Sequence, residues 1–191
     1  MLINVRIFCS YAAGDIIGFP ALASTSMEQG RLASVHMRTS KSLYTKEISD
    51  DKKMDDPDRV RTRMRSGEVF PFGIYTVPEI SMVGKNEQQL TREQVPYEAG
   101  IARYEELAKG QMLGGVPGFL KIIFCPKTLK LLGVHAIGEG ATEIIHIGQV
   151  VMSTDGTLEY FRNAVFNYPT LAEAYRVAAL DGLRKVDRLK E

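Results

Sequence analysis

Cysteine is scarce in this sequence. The two cysteines, Cys9 and Cys125, lie far apart and form no CxxC pair. They therefore predict neither a disulfide framework nor a zinc site. Because unpaired cysteines are typical of a reducing compartment, we expect a cytoplasmic protein.

An excess of charge of one sign and long hydrophobic runs are also lacking. The 191 residues contain 24 Lys and Arg against 23 Asp and Glu, a formal net charge of +1. Such a balance provides no general attraction for nucleic acid or an anionic membrane. No apolar run approaches the ~18 residues of a membrane span, and the first residues lack the order of a signal peptide. We expect no nucleic-acid partner and no membrane partner.

Several motifs of catalytic sites are missing. No GxGxxG follows a predicted strand, and there is no CxxxxC pair. His36, His135 and His146 have no ligand-like spacing, so we predict no metal site. The glycine-rich run 114–118 precedes a predicted strand and not a helix, which indicates a turn and not a phosphate cradle.

The first 37 residues nevertheless show an ordered pattern. Residues 3–11 alternate as in a strand, Gly14 and Asp15 form a turn, and residues 21–36 are typical of a helix. An acid in such a turn can accept hydrogen bonds from hydroxyl groups, and the following helix offers free N–H groups. Gly-Asp is a common turn dipeptide, so the pattern alone favours an ordinary turn.

Residues 38–68 have a different composition. They contain nine Lys or Arg and seven Asp or Glu with few large apolar residues, which is typical of an exposed linker. The basic run Arg59, Arg61, Arg63 and Arg65 can bind an anion, but a solvated linker is the favoured interpretation.

From residue 71 onward the pattern predicts strands first and helices later. We predict strands at 73–77, 80–83 and 97–104, and a hairpin of 119–124 with 129–134. Predicted helices run from the Asn86 cap to Gln94, at 141–152, at 158–164, and from Thr170 to Arg184. This order predicts an α+β domain.

The segment 168–173 has two interpretations. Thr170 as N-cap and Glu173 three residues later form a capping box, worth roughly 1 kcal/mol. Alternatively, Glu173 orients a neighbouring group near a reaction centre. The pattern alone favours the cap.

Four segments together resemble a known family. Residues 11–18, with 21–23 and 28–31, resemble the last FAD-contacting stretch of the pyridine nucleotide–disulfide oxidoreductases. Residues 73–84 resemble the start of their dimerisation domain, and the runs 138–149 and 166–180 extend the similarity. The resemblance covers nearly the whole chain except 38–68.

This resemblance implies a fold, cofactors and partners. It implies an α+β dimerisation domain, an antiparallel sheet with helices, at 71–191. A charged linker at 38–70 and a strand–helix remnant of the FAD-binding domain at 1–37 would precede it. The cofactors would be FAD and NAD(P). The partner would be a second copy of the chain, in a homodimer, or a separately encoded N-terminal half.

The resemblance also implies site residues. Asp15, after Gly14, would accept hydrogen bonds from the FAD ribityl chain, and backbone N–H groups near Leu22 and Ala23 would face the flavin's pyrimidine oxygen. Tyr168 and Glu173 would be the catalytic pair over the partner's flavin. Tyr168 stands where disulfide-reducing relatives have a histidine, which removes their proton shuttle. That departure favours hydride transfer between NADPH and NAD through FAD.

The missing GxGxxG motifs imply that the chain is a C-terminal fragment, inactive alone and unable to hold FAD tightly. Two alternatives stay open. The chain can be a non-catalytic dimerisation module, or a fragment of a dihydrolipoamide dehydrogenase-like flavoprotein, which Tyr168 argues against.

Overall fold

The computed structural model describes residues 11–18, 21–39 and 69–188, without the side chains of 35–39. The chain divides into two compact units, residues 1–66 and 67–191. The strand predicted at 3–11, apart from Tyr11, lies outside the described residues, as does nearly all of the linker predicted at 38–70, including its arginine run.

The first unit contains a turn and a helix. A 3-10 turn spans Asp15–Ile17, and helix α1 spans Ala23–Thr39. The predicted helix therefore begins two residues later and ends three residues later than expected. Among the described side chains of α1, those of Thr25, Gln29 and Ala33 are buried, and their spacing of four residues places them on one face.

The second unit is built on one antiparallel sheet. Its strands are β1 (Phe72–Ile74), β2 (Ile80–Gly84), β3 (Glu98–Arg103), β4 (Phe119–Phe124) and β5 (Leu131–Ile137). They lie in the order β1-β2-β5-β4-β3, and every neighbouring pair is antiparallel. The predicted hairpin of β4 and β5 is present, with an irregularity between Ile123 and Phe124.

Five helices accompany these strands. They are α2 (Glu87–Arg92), α3 (Ala108–Met112), α4 (Ala141–Ser153), α5 (Leu158–Asn163) and α6 (Ala174–Arg188), with 3-10 turns at Tyr104–Glu106 and Leu171–Glu173. Helix α4 packs on β2 and β5, and α6 packs on β3, β4 and α5. The α+β prediction is confirmed.

Local signals explain one of these helices and not another. Asn86 caps α2 in a capping box with Gln89, with hydrogen bonds of 2.8 and 2.9 Å. Sequence analysis did not predict α3, because its five residues have no apolar periodicity.

The core lies between the sheet and helices α4–α6. Buried side chains from the sheet meet buried side chains from the helices, among them Leu120, Ile122, Phe124, Val134, Ile145, Leu158, Phe161 and Tyr175. Gly100 on β3 lies so close to α6 that a Cβ there would be 2.0 Å from the Ala178 carbonyl oxygen. Helix and strand meet backbone to backbone at this crossing.

The predicted capping box at Thr170 is wrong. Thr170 is the N-cap of the turn Leu171–Glu173, but its side chain makes no capping hydrogen bond. The hydroxyl instead donates to the Asn167 carbonyl oxygen at 2.6 Å. The preceding turn supplies a nearby acceptor, and this local bond competes with the cap.

Candidate functional site

The turn at Gly14 and Asp15 is held against helix α1. Gly14 has φ of +83°, in the region that glycine adopts most readily. Its N–H donates to Gln29 Oε1 at 2.7 Å, and the N–H groups of Ile17 and Gly18 bond back to Gly14 and Asp15 at 3.0 and 3.1 Å. Asp15 is exposed, so its carboxylate can accept hydrogen bonds from a ligand's hydroxyl groups.

Leu22 and Ala23 stand at the start of helix α1. Leu22 is half-buried and Ala23 is exposed. The Ser26 N–H donates to the Leu22 carbonyl at 2.8 Å, the first bond of the helical ladder. The N–H groups of Ala23, Ser24 and Thr25 therefore have no acceptor within the helix, and they give this end a partial positive charge.

Tyr168 and Glu173 lie in the second unit, on the segment between α5 and α6. The Tyr168 side chain is 72% exposed. Glu173 is half-buried and ends the 3-10 turn that leads into α6. Their shared segment carries a phenol ring toward solvent and a carboxyl at the helix entrance.

The candidate residues form two groups. Gly14, Asp15, Leu22 and Ala23 lie together in the first unit around the start of α1. Tyr168 and Glu173 share one segment of the second unit. Their predicted roles in cofactor binding and catalysis stay predictions.

Two polar side chains with clear positioning roles, Gln29 and Glu79, are not predicted by the sequence pattern. Gln29 is 7% exposed and holds the Gly14 turn to α1. The spacing of four residues between Thr25, Gln29 and Ala33 was the signal in the sequence that could have predicted a buried position for Gln29. Glu79 accepts from the Thr142 hydroxyl at 2.6 Å and from the Thr142 N–H at 3.1 Å, at the start of α4. These hydrogen bonds lower the pKa of Glu79, and nothing in the sequence pairs residues so far apart.

Two tyrosines are buried in the second unit and serve structure. Burial raises the pKa of Tyr104 to about 12, and its hydroxyl donates to the Glu139 carbonyl at 3.2 Å. Burial also raises the pKa of Tyr175, whose hydroxyl donates to the Ile144 carbonyl at 2.8 Å. Both phenols stay protonated at neutral pH and act as hydrogen-bonding groups.

The histidines of the second unit are each engaged by a neighbour. His135 Nε2 lies 3.2 Å from the Lys85 carbonyl oxygen, and burial lowers its pKa. His146 Nδ1 lies 2.8 Å from Gln149 Oε1. Among the described residues, no group of three His, Cys, Asp or Glu side chains is arranged to hold a metal ion. Of the helices in the described part of the chain, none has the length and apolar character needed to cross a membrane.

Comparison with known proteins identifies a matching family. Residues 70–179 match the family described as "Pyridine nucleotide-disulphide oxidoreductase, dimerisation domain". The chain is 49% identical over 181 residues to a protein of Mycobacterium bovis named "Soluble pyridine nucleotide transhydrogenase", covering 95% of this chain and 34% of that protein. A protein of the same name from Photorhabdus laumondii is 49% identical over 179 residues, covering 92% of this chain and 34% of the relative. The chain thus spans about a third of the length of these curated relatives.

Solved structures with the same fold include LpdA from Mycobacterium tuberculosis. It superposes with a TM-score of 0.68 at 22% identity, over 89% of this chain and 33% of that one. The "HOCl-induced flavoprotein disulfide reductase RclA from Escherichia coli" gives a TM-score of 0.66 at 19% identity, over 89% and 35%. The antiparallel sheet with its helices is thus a known arrangement, and the chain belongs to the pyridine nucleotide-disulphide oxidoreductase dimerisation-domain family.

Proposed function

We propose that this chain is the C-terminal part of a soluble pyridine nucleotide transhydrogenase, which transfers hydride between NADPH and NAD through FAD. The observation that carries the proposal is the 49% identity over 181 residues to a protein of that name. Bound FAD would supply the redox group between the two nicotinamides, as the acceptor of hydride from one and the donor of hydride to the other. In this proposal the chain binds part of FAD, orients the flavin and brings two subunits together.

The residues at the start of α1 fit a flavin. The exposed Asp15 carboxylate is an acceptor for ribityl hydroxyls, and Gln29 fixes the turn that presents it. The N–H groups near Leu22 and Ala23 suit a flavin ring oxygen, because the positive end of a helix stabilises negative charge. Gly14 supplies the backbone conformation of this turn.

Tyr168 and Glu173 are proposed to lie over the flavin of the partner subunit. Hydride transfer between nicotinamides moves no separate proton through a side chain, so it needs no histidine at position 168. The exposed phenol ring of Tyr168 can pack on a planar ring system. Glu173, at the entrance of α6, is proposed to orient a neighbouring side chain near the reaction centre.

Exposed apolar side chains of the second unit support a homodimer. Val77, Val165, Tyr75 and Tyr168 are 102%, 93%, 82% and 72% exposed. Large exposed apolar side chains are typical of protein–protein contacts when they lie together. They belong to the β1–β2 connection and the α5–α6 segment, and we propose that both segments contribute to the dimer interface.

The chain alone is proposed to be inactive. The proposed organisation is an FAD-domain remnant at 1–37, a linker at 38–70 and a dimerisation domain at 71–191. No GxGxxG is present to bind the pyrophosphate of FAD or NAD(P). The cofactor half of the enzyme must therefore come from sequence that this chain does not contain.

A chimera tests the transhydrogenase proposal. The final third of the Mycobacterium bovis relative would be replaced by this chain, and transfer of hydride from NADPH to an NAD analogue would be measured. We expect a rate within about tenfold of the unaltered relative, a barrier difference of ~1.4 kcal/mol.

Two variants of the chimera extend this test. Tyr168→Phe should keep that rate, whereas Asp15→Ala should lower the flavin content. A folded, flavin-bound, dimeric chimera without hydride transfer would contradict the proposal.

A second candidate is a non-catalytic dimerisation module, which assembles with itself or with a separately encoded N-terminal half. The family match to a dimerisation domain over 70–179 favours it. Size-exclusion chromatography, alone and after mixing with the relative's N-terminal two thirds, distinguishes the two. A monomer that binds no such partner would argue against this candidate. A dihydrolipoamide dehydrogenase-like parent is disfavoured by Tyr168.

A further inference from the structure

Strand β3 forms one edge of the sheet. In the order β1-β2-β5-β4-β3, this strand is last and pairs on one side with β4. The other side of such a strand normally presents unpaired N–H and C=O groups, which can pair with a strand from another molecule. Natural proteins therefore cover or block their edge strands.

Three carboxylates occupy the outward N–H groups of this edge. The N–H groups of alternate residues point to the same side of a strand. The outward N–H of Ala99 donates to Glu98 Oε1 at 2.9 Å. The N–H of Ile101 donates to Asp181 Oδ2 at 3.0 Å, and that of Arg103 to Glu106 Oε2 at 3.1 Å. All three successive positions are thus bonded to acidic side chains of the same chain.

Helix α6 supplies the central part of this arrangement. Asp181 and Lys185 form an ion pair of 2.8 Å, and Lys185 Nζ donates to the outward Ala99 carbonyl at 2.7 Å. Burial alone would raise the pKa of Asp181, but hydrogen bonds from Lys185 and the Ile101 N–H outweigh it and lower that pKa. Asp181 therefore stays an ionised acceptor at neutral pH.

An open groove lies beside this edge, between β3 and α6. It has a volume of about 560 Å³, and its apolar lining residues are Ile101, Val177 and Leu180. Added strands gain affinity from main-chain hydrogen bonds and from pockets for alternate side chains. The groove offers a pocket for the side chain of an added strand, but the outward N–H groups of β3 beside it are already bonded to carboxylates.

We propose that Glu98, Asp181 and Glu106 block the β3 edge against strand addition by a second copy of this chain. The outward positions 99, 101 and 103 are evenly spaced about Ile101, so an antiparallel pairing of two copies would have its two-fold axis at this residue. Such pairing needs the Ile101 N–H that Asp181 holds. It also brings two sets of carboxylates together, which disfavours it further. This inference is independent of the proposed transhydrogenase function.

Two triple variants test the block. Glu98→Ala/Glu106→Ala/Asp181→Ala removes the acceptors and the charges. Glu98→Gln/Glu106→Gln/Asp181→Asn removes the same charges but keeps an oxygen acceptor at each position. Light scattering after size-exclusion chromatography over a concentration series gives the mass of each assembly. We expect the alanine variant to double the mass of the unaltered chain's assembly as concentration rises, and the amide variant to keep the unaltered mass.

A milder variant covers the case in which loss of Asp181 disturbs α6. Glu98→Ala/Glu106→Ala keeps Asp181 and its hydrogen bond with the Ile101 N–H, and hydrogen exchange of the Ala99 and Arg103 amides should quicken at least about tenfold. Unaltered mass and unaltered exchange in this variant would overturn the proposal, as would equal association of the alanine and amide triple variants. If both triple variants associate to the same extent, the charges of the carboxylates, and not the occupied N–H groups, prevent pairing.

Discussion

Tyr175 shows how a single hydroxyl joins two helices. Its O–H group donates to the Ile144 carbonyl at 2.8 Å, and its oxygen accepts from the Gly148 N–H at 3.0 Å. Both partners belong to α4, whereas Tyr175 belongs to α6. The two helices are therefore connected through one buried phenol as well as through apolar packing.

Tyr175→Phe should destabilise the second unit. The substitution keeps the ring but removes the two hydrogen bonds that the hydroxyl makes with the Ile144 carbonyl and the Gly148 N–H, each worth about 0.5–1.5 kcal/mol. Urea unfolding measures the loss in the free energy of unfolding. Tyr160→Phe is the control, because Tyr160 is 54% exposed and its change should cost less than about 0.5 kcal/mol. Equal stability of the two variants would contradict this account of Tyr175.

Glu79 predicts a pH dependence of stability. Its carboxylate accepts two hydrogen bonds from Thr142, and its pKa in the folded state is lowered. A lowered pKa stabilises the fold above the unfolded-state pKa, and this contribution is lost as the pH falls through the folded-state value. Glu79→Gln should therefore reduce the stability at pH 7 by about 0.5–1 kcal/mol, a small effect because solvent screens the site.

The measurement is the free energy of unfolding of both proteins between pH 7 and acid. The difference between them should shrink as the pH falls below about 4, the range in which an ordinary glutamate is protonated. Glu159→Gln, a change of a surface carboxyl on α5, is the matched control. A difference that stays constant across this range would count against the role of the Glu79 charge.

At the level of elements, the close crossing of β3 and α6 depends on Gly100, which has no side chain. A Cβ at position 100 would lie 2.0 Å from the Ala178 carbonyl oxygen and 2.9 Å from the Gly182 nitrogen. Both contacts are with backbone, which cannot rotate away. Gly100 is therefore required by close approach.

Gly100→Ala should push α6 away from the sheet and destabilise the second unit by about 3 kcal/mol or more. Gly73→Ala on β1 is the control, since a Cβ there would meet the Thr142 methyl at an ordinary 3.4 Å. Thermal unfolding followed by circular dichroism compares the two. A Gly100→Ala protein that melts with the unaltered chain would show that the crossing is looser than described.

These elements also show where sequence reasoning succeeds. Helix α2 was predictable because Asn86 and Gln89 form a complete local signal, and β4 with β5 because apolar runs flank a turn. The Thr170 cap failed because the same hydroxyl has a competing acceptor in Asn167. The roles of Asp15 and Tyr168 are predicted only through the family resemblance, because the dipeptides Gly-Asp and Tyr-Pro alone are unspecific. The roles of Gln29, Glu79 and Asp181 depend on tertiary contacts that no local pattern contains.

At the scale of the whole molecule, the exposed apolar residues of the second unit predict where two copies meet. Val77→Asp and Val165→Asp each place a charge in the proposed interface, where an unpaired buried charge is strongly unfavourable. We expect each to weaken dimerisation at least about tenfold, or ~1.4 kcal/mol. Analytical ultracentrifugation gives the dissociation constants.

Met112→Asp provides the comparison for these variants. Met112 is 69% exposed but lies on α3, away in sequence from the proposed interface segments. Its substitution should leave the dissociation constant unchanged. If Met112→Asp dissociates the dimer while Val77→Asp and Val165→Asp do not, the interface has been assigned to the wrong surface.

We propose that this chain contributes part of a flavin site beside its dimerisation domain, and that tight FAD binding needs pyrophosphate-binding sequence that the chain does not contain. The most direct measurement is the visible absorption spectrum of the purified 191-residue protein after incubation with FAD and gel filtration. We predict no retained flavin band and no hydride transfer from NADPH to an NAD analogue. A stoichiometric flavin spectrum retained by this chain alone would contradict the claim.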